Sequence, residues 1–259
     1  MSTIPPFALI FLGTVTGIAS GILGIGGGLL MVPVLTLTHA TVLQATATSL
    51  VGVFLSAISG SFRNWRANQL NLWEPLGLAL GGIPTAQLGA WLGDRLPDSH
   101  LGIAFAVLLL VSMYLIGLRR QLQQPDSARS PEIGSNRRSI ALPLLGIGTI
   151  AGFLSGLFGV GGGVVMVPLQ MVGLKTAIKP AVRNSLGAIA PISASALFRH
   201  ADQGNVLWVS GLSLGLGCLL GAQIGTRLLH RLPSQLVTLL FRILLVSLAA
   251  YMLWEALNS

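Results

Sequence analysis

Charge is what this sequence has least of. Asp, Glu, Lys and Arg make up 8 % of its 259 residues, against roughly a quarter in an average soluble domain. One cysteine, Cys218, rules out a disulfide framework and a cysteine metal site. The four histidines (His39, His100, His200, His230) fall at the ends of apolar stretches or between them, and no H-E-x-x-H zinc motif occurs. A buried Ser–His hydrolytic pair and a haem held by two axial histidines therefore find no support. Carboxylates are equally scarce inside apolar segments. Glu74 sits beside Trp73 and Pro75, where an interfacial helix start accounts for it. No enzyme is expected.

What is present is hydrocarbon. Hydrophobic residues make up 53 % of the chain, mean hydropathy is +0.80, and apolar runs recur from end to end. A helix crosses ~30 Å of hydrocarbon with about 20 residues. The expected class is all-α: a polytopic transmembrane helical bundle whose surroundings are the lipid bilayer. The formal charge of +8 does not point to nucleic acid, because the basic residues sit in short connections between apolar segments, as membrane topology requires. Met1 to Pro6 carries no basic residue ahead of the first apolar stretch, so that segment is expected to be retained.

Eight hydrophobic segments are expected, at about 7–37, 42–62, 73–93, 100–118, 141–172, 181–198, 206–226 and 235–254. The strongly polar stretch Arg119 to Ser139 cannot bury enough apolar surface to order itself and reads as a linker. The expected division is residues 1–118, linker 119–140 and residues 141–259.

The two parts repeat one another. At offset 135, Gly13, Gly17, Ser20 and Gly21 match Gly148, Gly152, Ser155 and Gly156; at offset 136, Ser49-Leu50 matches Ser185-Leu186 and Phe62-Arg63 matches Phe198-Arg199. Ala86-Gln87-x-Gly89 likewise matches Ala222-Gln223-x-Gly225, and Arg95-Leu96-Pro97 matches Arg231-Leu232-Pro233. Two tandem four-segment repeats are expected. Four full crossings each make the halves parallel; re-entrant first and fifth segments make them inverted. If every segment crosses once, loop arginines and lysines divide eight against six, a lean toward cytoplasmic termini.

The chemistry concentrates where the repeat is densest. Gly24, Gly26, Gly27 and Gly28 in the first segment correspond to Gly159, Gly161, Gly162 and Gly163 in the fifth. Four glycines in five residues cannot hold a helix, because glycine loses the most backbone entropy on folding. Broken backbone in hydrocarbon is tolerated only where it is buried in protein or lines a cavity. A helix restarting there presents free N–H groups and its positive dipole end, which suits an anion. The other reading is that these glycines permit tight helix crossings, as the Gly13-Gly17-Gly21 and Gly217-Gly221-Gly225 ridges do. Thr48-Ser49 and Asn184-Ser185 occupy matching places in the following segments. They can complete an oxyanion's hydrogen-bond shell or bond their own helices. Gln87 and Gln223 fit an interhelix hydrogen bond or a pore-lining amide. Arg242 lies well inside the last segment, where it either faces a pathway or snorkels. Lys175, Lys179 and Arg183 form either a cationic vestibule or an ordinary loop cluster.

The G-x-G-G-G-x-x-x-V-P run in each half, the Thr-Ser-Leu and Asn-Ser-Leu at 48–50 and 184–186, and the Gln-x-Gly at 87–89 and 223–225 resemble the TauE/SafE family. That resemblance implies a plasma-membrane carrier of small sulfur-containing or organic anions such as sulfite or organosulfonates, a probable exporter, without a cofactor. Thr48 stands where Asn184 does in the other half, so the two half-sites need not be equivalent. The expected function is a secondary transporter binding a small anion where the two glycine breaks meet. An anion channel built on the same residues and a non-transporting membrane scaffold are the rivals.

Overall fold

The computed structural model describes residues 5–36, 40–122 and 137–258. Within them the chain forms ten helices and no strand: α1 Pro6–Leu23, α2 Gly28–Thr36, α3 Val42–Arg66, α4 Trp73–Gly93, α5 Asp98–Leu122, α6 Arg137–Phe158, α7 Gly163–Gly173, α8 Ile178–Asp202, α9 Trp208–Arg231 and α10 Ser234–Asn258. Where eight apolar segments were expected there are ten helices, because the first and fifth segments each break in two. Helix runs into both ends of the polar stretch: α5 continues to Leu122 and α6 starts at Arg137. Its residues 123–136 lie outside the described part. Four helices (Pro6–Leu23, Val42–Arg66, Ile140–Phe158, Trp208–Arg231) are long and apolar enough to cross a membrane.

The helix ends have local causes. Thr41 and Gln44 form a reciprocal capping box at the start of α3, with Gln44 N–H donating to Thr41 Oγ1 at 3.1 Å. α1 stops at Gly24, whose φ of 72° is left-handed and whose N–H reaches Ser20 O at 2.7 Å. α6 stops in the same way at Gly159, φ 66°, with its N–H on Ser155 O at 2.9 Å. Ser20 and Ser155, both in the repeat, thus supply the accepting carbonyls of the two stops.

Helix directions follow from contacts. α1 and α9 run parallel, with Gly17 facing Cys218 and Gly21 facing Ala222. α6 and α4 run parallel as well, with Gly148 facing Leu78 and Gly156 facing Ala86. Backbone carbonyls occupy the position of a Cβ at each of these glycines, so the axes approach as closely as glycine allows. α3 and α8 are antiparallel. Gly60 near the end of α3 meets Leu186 near the start of α8, while Val51 clusters with Leu197 and Ala201 from the far end of α8.

The bundle therefore has a Thr41 end and an Arg66 end. α3 and α9 both start at the Thr41 end, where Leu207 N–H bonds Thr48 Oγ1, and α1 starts there as well because it parallels α9. α2 finishes five residues before Thr41, so it too ends at that face. The first broken segment enters and leaves by one end. By the same logic α6 starts and α7 finishes at the Arg66 end.

Candidate functional site

The two glycine breaks are brought together at the centre of the bundle. The Cα of Ile25 lies 2.7 Å from where a Cβ on Gly163 would stand, and the Cα of Val160 lies 3.0 Å from the same point on Gly28. Gly26, Gly27, Gly161 and Gly162 hold φ values of 80°, 83°, 78° and 73°, a region that only glycine enters without strain. All eight expected glycines are buried. Val53 of α3 and Ile189 of α8 wedge against both breaks: Val53 Cγ1 lies 2.9 Å and 2.6 Å, and Ile189 Cγ2 3.3 Å and 3.1 Å, from the Cβ positions of Gly26 and Gly161. Gly24 and Gly159 press on Val182 of α8 and Thr46 of α3. The two breaks are locked together here by backbone contact, and the space beside each glycine is filled by protein atoms.

The hydroxyls of α3 hold the breaks in place. Ser49 Oγ donates to Gly159 O at 2.9 Å, and Ser56 Oγ donates to Gly26 O at 2.8 Å and meets Ser20 Oγ at 3.3 Å. Ser49 was legible as a candidate; Ser56 was not, because its counterpart in the repeat is Ile192 and no pairing marks it. Thr48 does not reach the breaks. It turns toward the start of α9, where it accepts the Leu207 N–H at 2.9 Å.

Asn184 and Ser185 join a second, wholly side-chain cluster. Asn184 Nδ2 donates to a Glu74 carboxylate oxygen, 110 residues away, and to Gln170 Oε1 at 3.4 Å. Gln170 Nε2 donates to Ser185 Oγ at 3.0 Å and to the carbonyls of Met166 and Ala181 at 3.2 and 3.4 Å. Glu74 is therefore more than an interfacial helix start: it closes a network across α4, α7 and α8. Gln170 and Ser185 are fully buried, and Asn184 is 6 % exposed. Neither Glu74 nor Gln170 was a sequence candidate, since Gln170 faces Leu35 in the repeat alignment.

Gln87 is exposed; with Leu88, Trp91 and Arg199 it lines an open cleft of about 270 Å³ on the flank of the bundle. It does not line the axis between the breaks. Arg242 lies on α10, which packs chiefly against α5.

At the Arg66 end, basic groups from three helices converge. Arg183 Nη2 of α8 lies 3.3 Å from His230 Nδ1 of α9, and Lys179 Nζ donates to the His230 carbonyl at 3.4 Å. Arg63 of α3 faces both Arg227 and His230 at a range where like charges interact. A tally with every segment crossing once separates Arg63 from Lys179, Arg183 and Arg227. The fold puts them together, because the second broken segment, α6 with α7, turns back.

A helical bundle with several apolar, membrane-length helices and two discontinuous segments meeting at its core defines the class: a polytopic membrane protein with the architecture of a transporter. The chain belongs to the sulfite exporter TauE/SafE family, whose description it matches over residues 9–252. It is similar to the probable membrane transporter protein YunE of Bacillus subtilis, 26 % identical over 97 % of this chain and 98 % of the relative. It also resembles B. subtilis YdhB (28 %, covering 84 % and 88 %) and Methanocaldococcus jannaschii MJ0441 (29 %, covering 74 % and 71 %), both probable membrane transporter proteins. No solved structure matches the chain.

Proposed function

We propose that this protein is a secondary carrier of small anions, with sulfite or an organosulfonate as substrate and export from the cell as its direction. The observation that carries the reading is the sealed meeting of the two glycine breaks between Val53 and Ile189. Two half-helices starting at Gly28 and Gly163 bring their positive ends to one place, and an anion is bound there when the halves separate. A site closed by packing needs movement of one half against the other, which favours a carrier over an open channel. The family's own description supplies the sulfur oxyanion. No cofactor and no catalysis enter this reading, and the membrane is the plasma membrane.

The same reading makes residues 1–118 and 141–259 two tandem repeats joined by the polar linker, and makes them inverted. Reciprocal pairs support this: α1 with α9 answers α6 with α4, and Gly24 on Val182 answers Gly159 on Thr46. A first segment that turns back leaves three crossing helices in each half, an odd number. Orientation then changes. Arg63, Arg66, Lys175, Lys179, Arg183, Arg227 and Arg231 lie at the Arg66 end, as do the arginines beside the α5–α6 junction. Among the described residues the Thr41 end has Arg95 and Arg199. By the positive-inside rule the Arg66 end is cytoplasmic, and the start of α1 and end of α10 lie outside. This replaces the lean toward cytoplasmic termini.

Proteoliposomes containing the purified protein alone test the function. Saturable flux of sulfite or a sulfonate, accelerated by the same anion on the opposite side, is the expected result. Flux that never saturates assigns a channel; absence of flux for every anion in a panel removes the transport reading.

A further inference from the structure

The basic cluster at the Arg66 end has a composition that the packing does not explain. Arg63, Lys179, Arg183, Arg227 and His230 come from three helices, and none of them makes an ion pair with a carboxylate among the described residues. Arg63 Nε, Arg183 Nε and His230 Nε2 are buried without a hydrogen-bond partner. Cationic side chains gathered beside a low-dielectric core repel one another, and buried N–H groups left unpaired cost free energy. An ordinary loop cluster relieves both costs by extending its side chains into water. Here Arg63 and Arg183 are half-buried, though Arg227 is exposed, and Arg183 is pinned against a histidine ring at 3.3 Å. Both costs vanish if a single anion with several acceptor oxygens sits among them, since each guanidinium offers a planar fork to an oxyanion.

The cluster also has an address. Arg183 follows Val182, whose Cα lies 2.8 Å from the Cβ position of Gly24, and it precedes Asn184 of the buried polar network. Arg183 is thus one position along α8 from the residue that packs on the first glycine break. The corresponding place at the Thr41 end is built differently. Where Arg183, Arg227 and His230 stand in one half, Ala47, Trp91 and Asp94 stand in the other, and Asp94 is hydrogen-bonded by Gln203 and Asn205.

We propose that Arg63, Lys179, Arg183, Arg227 and His230 form an oxyanion-binding station at the Arg66 end, loading a small dissolved anion toward the Gly24 break. The proposal rests on the reading of the chain as an anion carrier and adds where the anion is first held and from which side. It makes loading one-sided, because the other end lacks the same set of cations.

The test uses the full-length protein in neutral detergent, with radiolabelled sulfite and sulfate as probes. The wild type binds either anion, and rising ionic strength weakens the binding. Arg183→Gln and Arg63→Gln each lower the affinity at least about tenfold, while Arg183→Lys keeps most of it. Arg63→Gln, near the tip of α3, serves if Arg183→Gln does not fold. Unchanged affinity in both glutamine variants overturns the station and leaves the carrier reading standing. An anionic phospholipid that co-purifies with the wild type and is lost from Arg183→Gln, with no oxyanion bound, also overturns it and assigns the cluster to a headgroup. Binding that depends on both arginines, in a protein that moves no anion in proteoliposomes, keeps the station and removes the carrier reading.

Discussion

α3 and α8 flank the two glycine breaks with different polar chemistry. In α3, Thr48 bonds a backbone N–H at the start of α9, and Ser49 bonds the carbonyl of Gly159. In α8, Asn184 and Ser185 bond side chains instead: a carboxylate on α4 and an amide on α7. The glycine contacts around them are nearly the same in both halves, down to which atom fills the space beside Gly26 and Gly161. Packing this close permits almost no variation, because a Cβ collides with a carbonyl at Gly28, Gly159, Gly162 and Gly163 and with Val53 at Gly26 and Gly161. Polar side chains at the next layer out can diverge without disturbing that packing. What the surroundings of the two breaks share is thus close backbone packing, and what differs is that the polar layer of α8 includes a carboxylate and that of α3 does not.

The largest effects are expected at the shared glycines, equally in both halves. A side chain at Gly28 runs into the Gly159 carbonyl, and one at Gly163 into the Gly24 carbonyl. Gly28→Leu and Gly163→Leu should each destabilise the protein by on the order of 3 kcal/mol or more, seen as loss of monodisperse protein and a lowered Tm in detergent. Loss of flux alone cannot assign the anion to these glycines, since the packing would already fail. A Gly28→Ala protein that keeps its Tm but loses anion binding is the outcome that puts the ligand directly on the break. An unequal cost of the two leucine variants breaks the equivalence of the halves.

A smaller, deliberately unequal effect is expected one layer out. Asn184→Leu removes a hydrogen bond to a carboxylate and strands Glu74 and Gln170, at a cost of about 1.5–3 kcal/mol. Thr48→Val removes one hydrogen bond to a backbone N–H, at about 0.5–1.5 kcal/mol. Thermal unfolding of the two variants should separate them, and Glu74→Gln should recover part of the Asn184→Leu loss by removing the stranded charge. Equal costs for Asn184→Leu and Thr48→Val refute the asymmetry. If Thr48→Val also weakens anion affinity, Thr48 belongs to the binding site and not only to the α9 cap.

What was legible in the sequence follows the same division. The breaks at 24–28 and 159–163 were readable because glycine density is a local property, and their meeting was expected from the likeness of the two glycine runs. The hydroxyl of Ser49 could be suspected because Ser185 echoes it. Glu74 and Gln170 could not, since each lacks a counterpart and Asn184 reaches Glu74 across 110 residues. The doubling back of the first segment was open for another reason. An apolar run of that length has the same composition whether it crosses once or turns at a glycine. The fifth segment, α6 with α7, doubles back in the same way, and the position of Arg63 beside Arg227 and His230 depends on that turn, so loop counting that assumes single crossings misplaces it.

Arg242 should give the smallest effect. In sequence it is a basic residue deep in an apolar segment, which by default marks a function. Its helix, however, makes its main contacts with α5, away from the α3–α8 pair that flanks the breaks. The residue stands two turns from the start of α10 at the Arg66 end, where a long side chain can carry its charge toward the headgroups. Arg242→Gln should therefore leave sulfite affinity within about twofold, well under the tenfold that 1.4 kcal/mol represents. Arg242→Cys should label from the Arg66 side at a rate that added sulfite does not change. Substrate protection of that cysteine, together with a tenfold loss of affinity in Arg242→Gln, would move the pathway outward from the α3–α8 seam to the α5–α10 face.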